Sequence, residues 1–292
     1  MSTQLEKITQ KSISAPESEQ LQGHFPAAAA ALNALLKKHL SLLLSIGSVL
    51  AVLALWFATA ALQLIPELFL PSPASVWQKF LEVSRQGFMQ ATLGQHLAES
   101  IGRVFSALTA AVMIGVPVGL WMGLNKWVRA ALDPLVELLR PIPPLAYLPL
   151  LVIWFGIGET TKILLIFFSI LAPVIISTVH GVLSHQQNRE RAALSLGATR
   201  WQVLRYVILP AALPQILTGI RIGLGVGWST LVAAELVAAD RGIGFMVQSA
   251  AQFLVTDVVI LGILLIAVIA FALELGLRAL QRKLAPWHGQ AH

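Results

Sequence analysis

Arg221, Trp228 and Glu235 stand seven residues apart in a stretch, 215–238, with no other charge. At about 100° per residue the three keep within about 40° of one helical stripe, and about 21 Å of axial rise separates Arg221 from Glu235. The two cannot pair on one helix. Opposite charges so placed suit one of two uses. They can line the route of a charged solute, Arg221 near the inner mouth and Glu235 near the outer, or they can make ion pairs with neighbouring helices. Covalent chemistry has little to work with. There is no cysteine, and the seven histidines are scattered without ligand spacing. The string Gly156 to Lys162 has Thr161 where a phosphate-binding loop needs its second glycine, so it reads as a tight turn. Any nucleotide must then bind a partner chain.

A second informative stretch is polar and spans 184–214. Arg191-Ala192-Ala193-Leu194-Ser195-Leu196-Gly197 reads as a short helix closed by a glycine cap, with Glu190 just before it. Thr199 and Gln202 have the spacing of a capping box that opens a second helix, and Pro210 and Pro214 punctuate its exit. A helix–glycine–helix element suits docking against another protein; the competing reading is an ordinary loop.

The elements that position these residues follow from composition. Of 292 residues, 57% are apolar and 12% charged. Soluble domains carry about 25% charge, so lipid is the natural solvent and the fold class is an all-α, polytopic membrane protein. Six spans are expected. They are 40–64, 96–124, 138–158 with four prolines, 163–183, 215–238 and 258–277, with a short amphipathic helix over 74–83 between the first two. The domain reading is a flexible tail over 1–36, a six-helix domain over 37–284 and a short tail over 285–292. Gly115, Gly119, Gly123 and Gly219, Gly223, Gly227 form stripes that let helix backbones pack closely. Glu99 and Arg103, one turn apart, read as a helix-face pair. Glu274 reads as a cap near the interface.

The net charge of +6 suits basic inner loops better than nucleic acid. With the N-terminus inside, fourteen of the 20 Lys and Arg fall on inner segments and four on outer ones. Both ends are therefore expected in the cytoplasm. An ion-coupled secondary transporter would usually show internal repeats or a carboxylate cluster, and neither is visible. An intramembrane enzyme would need a constellation of ligands or a nucleophile.

Ala192-Ala193, Gly197 and, nine residues further, Val207-Ile208-Leu209-Pro210 resemble the "EAA" signature of ABC importer permeases, with Arg191 in place of the usual glutamate. Leu139 to Leu150, Trp154 to Glu159, Gly223 to Glu235 and Ala285 to Gly289 resemble the branch that imports sulfonates, taurine and nitrate, its taurine permeases above all. The resemblance implies a type I permease fold in a bacterial inner membrane. It implies a homodimer, two ATP-binding subunits holding ATP and Mg on the cytoplasmic side, and a periplasmic substrate-binding protein. It implies no cofactor and no enzyme activity in this chain. The loop residues Glu190, Arg191, Ala192, Ala193, Gly197, Thr199, Leu209 and Pro210 would then meet the ATPase. The stripe of Arg221, Trp228 and Glu235 would face a zwitterionic sulfonate. Taurine is the expected substrate, with other alkanesulfonates or nitrate as alternatives, and alternating access the expected mechanism.

Overall fold

The computed structural model of the protein describes residues 25–184 and 187–286. Most of the tail expected over 1–36, and Trp287, His288 and Gly289 of the C-terminal segment, lie outside the described residues. Helix α1 (Phe25–Ala61) already covers the last part of that tail. Pro26 sits in its first turn and Ala27 to Ala31 follow, a proline–alanine start that favours helix whatever the surroundings. Its segment 43–61 is apolar enough to cross a bilayer.

The rest of the chain, from Pro66, forms a second unit. Helix α2 (Pro73–Gln86) is the expected amphipathic helix, capped by Ser72, whose hydroxyl accepts from the Ser75 N–H at 3.1 Å. Lys79 bonds Glu82 at 2.9 Å and lies 3.6 Å from Asp257. The Glu82 carboxylate holds the Lys79 ammonium above its ordinary value. Helix α3 (Leu93–Leu124) starts at a Thr92–Gln95 capping box.

The span expected over 138–158 begins earlier, at Lys126, where a charged link was expected, and it is a bent pair of helices. Helix α4 (Lys126–Leu139) ends before Pro141, Pro143 and Pro144. A 3-10 turn (Pro144–Tyr147) and helix α5 (Leu148–Phe155) resume at 92° to it. Three prolines in four residues leave too few N–H donors for a continuous ladder. Helix α6 (Glu159–Leu183) follows a turn in which Gly156 takes φ +77° and the Thr161 hydroxyl donates to the Gly156 carbonyl at 2.6 Å. This turn is what the Gly156–Lys162 string forms.

Beyond α7 (Gln187–Ser195) and α8 (Arg200–Val203), the expected boundary at residue 215 is absent. The chain stays helical through a π turn (Leu204–Ile208) into α9 (Leu209–Ala238). Pro210 cannot donate, and its ring would strike the carbonyl of Tyr206. The widened turn absorbs both problems, with the Leu209 N–H reaching back to Leu204. Helices α10 (Ile243–Gln252) and α11 (Thr256–Leu284) complete the unit.

The glycine stripes set the helix register. A Cβ on Gly115, Gly119 or Gly123 of α3 would meet Val174, Thr178 or Val182 of α6 at 3.0, 2.6 and 2.6 Å. Both series ascend, so α3 and α6 run parallel. A Cβ on Gly219, Gly223 or Gly227 of α9 would meet Ser177 and then Ile170 at 2.4, 2.9 and 2.6 Å, a descending series that makes α9 antiparallel. Around these contacts Val104, Ala107, Leu108, Ile166, Ile170, Val174, Leu224 and Leu231 form the core.

Parallel α3 and α6 require the chain between them to return across the bundle. Val136 clusters with Ile175 and Val179 near the end of α6, and Leu148 and Leu151 with Leu165 near its start. The broken pair α4–α5 therefore makes the crossing. With it and the five long helices found among the described residues, six crossings result.

Candidate functional site

At the end of the bundle where α3 and α6 begin, charged groups from three helices, α3, α6 and α9, gather around Arg103, whose side chain is 3% exposed. Its Nε and Nη2 donate to Glu159 at the start of α6, at 2.6 and 2.7 Å, as a two-pronged fork. Its Nη1 donates to Glu235 of α9 at 2.6 Å and to the Arg241 carbonyl at 2.8 Å. Glu99, expected as its partner, stands at 3.8 Å and outside the shortest contacts. The helix-face pair is present, but the shorter contacts go to partners far along the chain, Glu159 and the enclosed Glu235. Lys162 donates to Glu159 at 2.8 Å.

Glu235 is fully enclosed, and its remaining acceptor sites are filled. The Ser100 hydroxyl donates to its two oxygens at 2.8 and 3.0 Å, and the Gly244 N–H donates at 2.8 Å. Ser100 accepts from the Ile243 N–H at 2.9 Å, and His96 Nδ1 accepts from the Gly242 N–H at 3.1 Å. The His96 ring proton is thereby left on Nε2, which faces the Phe88 carbonyl at 3.0 Å. Three consecutive N–H groups at the start of α10 are thus held by α3 and α9. Gly242 has φ +131°, and a Cβ there would lie 2.4 Å from the Glu235 carboxylate, so only glycine lets the chain pass. The sequence reading missed Ser100, His96, Glu159 and Gly242. The signals available were a charge opening a span and a Gly-x-Gly pair opening a helix.

The stripe on α9 is not brought together at one place. Arg221 Nε pairs with Glu274 of α11 at 3.0 Å, and Arg278 reaches the same carboxylate at 2.8 Å. Glu274 bridges two helices and is not a cap. Trp228 lies 5% exposed in the core cluster with Ala107, Ile166 and Ile170. Glu235 belongs to the Arg103 network described above.

At the opposite end, α7 closes with a Schellman motif: the Ala198 N–H reaches the Ala193 carbonyl at 3.1 Å and the Gly197 N–H reaches Leu194 at 3.0 Å. Gly197 takes φ +82° with nothing within 4 Å of where a Cβ would stand. Thr199 and Gln202 form the reciprocal capping box, at 3.3 and 2.8 Å. These two caps fix the angle between α7 and α8. Val203 and Ile208 are buried with Ala212 and Val182, which anchors the element to the bundle. Glu190 and Ala193 are half-buried, and Arg191, Ala192 and Thr199 are exposed. So are Leu196, Trp201 and Tyr206, at 89%, 68% and 71%. Leu209 and Pro210 sit half-buried where the loop enters α9.

Residues 115–286 match the family described as "binding-protein-dependent transport system inner membrane component", more than half of the chain. The protein belongs to that family and is a permease subunit of an ABC transporter. The chain is 66% identical over 248 residues, 85% of its length and 90% of the relative's, to the taurine transport system permease protein TauC of Escherichia coli (strain K12). It is 36% identical to the putative aliphatic sulfonates transport permease protein SsuC of Bacillus subtilis (strain 168), over 81% of this chain and 84% of the relative. Among solved structures, the inward-facing MetNI methionine ABC transporter superposes with a TM-score of 0.53 at 23% identity, covering 64% of this chain and 95% of that one. An amino acid ABC transporter gives 0.52 at 20% identity, covering 72% and 96%. These two likenesses concern the fold.

Proposed function

We propose that the chain is the membrane pathway of an ATP-driven taurine importer. The observation that carries this is the 66% identity to the TauC permease over nearly the whole of both chains. In this reading two copies form the pathway, two ATPase chains holding ATP and Mg dock on the cytoplasmic side, and a periplasmic binding protein delivers substrate. Both chain ends and the loop 184–214 face the cytoplasm, and the Arg103 end faces the periplasm. The basic inner loops support that orientation. Glu190, Arg191, Ala192, Ala193, Gly197 and Thr199 meet the ATPase, while Leu209 and Pro210 transmit the motion into α9. The exposed Leu196, Trp201 and Tyr206 support a docked partner, because apolar side chains held out from a capped cytoplasmic element gain from being covered.

Of the two readings of the α9 stripe, the contacts favour ion pairs between helices: Arg221 is spent on Glu274, and Glu235 on Arg103. A second substrate reading, other aliphatic sulfonates, has the SsuC relative behind it at lower identity. Uptake of labelled taurine by the reconstituted complex, challenged with unlabelled taurine, alkanesulfonate or nitrate, separates them. Taurine is expected to compete best.

Gly197→Val is the test of the loop. The new Cβ meets no neighbour, so the whole cost is the left-handed backbone, about 1–2 kcal/mol and confined to the cap. Insertion should be normal, while copurification of the ATPase and uptake both fall. Normal values of both would remove Gly197 from coupling.

A further inference from the structure

A cavity of about 450 Å³ lies between the break at the end of α4, one face of α6 and the exposed face of α9. Its volume falls in the range of about 300–1,000 Å³ common for small-molecule sites. Arg140 lines it, with Tyr147, Ser177, His180 and Val226 among the other lining residues. We propose that this cavity is the subunit's transit site for a zwitterionic sulfonate, with Arg140 holding the sulfonate group; the proposal rests on the taurine reading above.

Two independent features support it. The first is backbone. Residues 140–143 lie inside a membrane crossing yet belong to no helix, and Pro141 and Pro143 bring no N–H donors. Non-helical backbone at membrane depth is tolerated where protein buries it or where it lines a watery cavity. Arg140, Pro141, Ile142 and Pro143 are all exposed in the single chain, and Arg140 and Ile142 line the cavity, whose water would satisfy this backbone.

The second is charge. Arg103 is held by Glu159 and Glu235, and Arg221 and Arg278 share Glu274. Among the described residues no carboxylate lies within salt-bridge distance of Arg140. Its guanidinium presents a planar set of donors to an anion that keeps its charge at every physiological pH. The substrate's ammonium end has counterparts in the same lining: the Glu137 carboxylate and the ring of Tyr147, which stands perpendicular to Phe168 with centroids 6.2 Å apart. The Ser177 hydroxyl and the His180 ring complete a polar strip along α6.

The test uses the complete complex, permease with ATPase and binding protein, in proteoliposomes with labelled taurine. Arg140→Gln should slow uptake about tenfold, the worth of one charge-assisted hydrogen bond. ATP hydrolysis stimulated by the taurine-loaded binding protein should stay near wild type, and Arg140→Lys should restore part of the uptake. Val226→Trp fills the cavity from an exposed position, removes no charge, and should slow uptake in the same way. Unchanged uptake in Arg140→Gln and Val226→Trp overturns the proposal. So does a parallel loss of uptake and hydrolysis, which would place Arg140 in coupling. Failure of the taurine reading is visible separately, as a wild-type complex that does not move taurine.

Discussion

Arg103→Leu is expected to destabilise the fold severely, with a low yield of folded protein and a steep fall in melting temperature. The substitution leaves Glu235 enclosed by α3, α9 and α10 with no cation beside it, and it frees the Arg241 carbonyl. Removing one partner of a buried pair costs about 3–5 kcal/mol, a large part of a typical total stability of about 5–15 kcal/mol. Glu159→Gln should cost far less, because that side chain is 51% exposed and exposed pairs contribute about 0–1 kcal/mol. The double variant Arg103→Leu with Glu235→Leu should recover much of the loss, since no lone charge remains buried. Size-exclusion profiles and melting temperatures of the detergent-solubilised variants check the order. Arg103→Leu as stable as Glu159→Gln would mean the network is not what holds α10 to α3 and α9.

Gly219→Leu should be among the most damaging changes along the glycine stripes. Its Cβ alone would sit 2.4 Å from the Ser177 Cβ and 3.1 Å from the Pro173 carbonyl oxygen. Backbone cannot rotate aside as a side chain can, so α6 and α9 must separate. Overpacking costs about 1–3 kcal/mol where neighbours can yield, and more where they cannot. Gly225→Leu on the same helix meets nothing within 4 Å and should leave the melting temperature unchanged. Equal melting temperatures for the two variants would contradict the register derived for α6 and α9.

Features set by local chemistry were legible before the fold. The cap at Gly197 and the box at Thr199–Gln202 depend on a few adjacent residues, and both are present. The glycine stripes were legible as packing faces because only close backbone approach makes a four-residue glycine period useful. Their partners were not, since nothing in α9 alone says that Ser177 and Ile170 will face it. The Arg103 network was illegible for the same reason. Glu159 and Glu235 stand 56 and 132 residues away, whereas Glu99 stands one turn away and drew the local reading. The break after Leu139 was half legible: the prolines announced an interruption, but its 92° bend depends on where α5 packs. At Pro210 and Pro214 punctuation was expected and continuity found, because a π turn lets the helix carry the first of them.

The central claim is that this chain is a passive pathway whose motion is driven by ATP hydrolysed on a partner. The direct measurement is uptake of labelled taurine into proteoliposomes holding the permease, its ATPase and the binding protein, with ion gradients collapsed by ionophores. Uptake should require ATP, stop with a non-hydrolysable analogue and vanish when the ATPase is left out. Uptake by the permease alone, driven by an imposed proton or sodium gradient, would contradict the account.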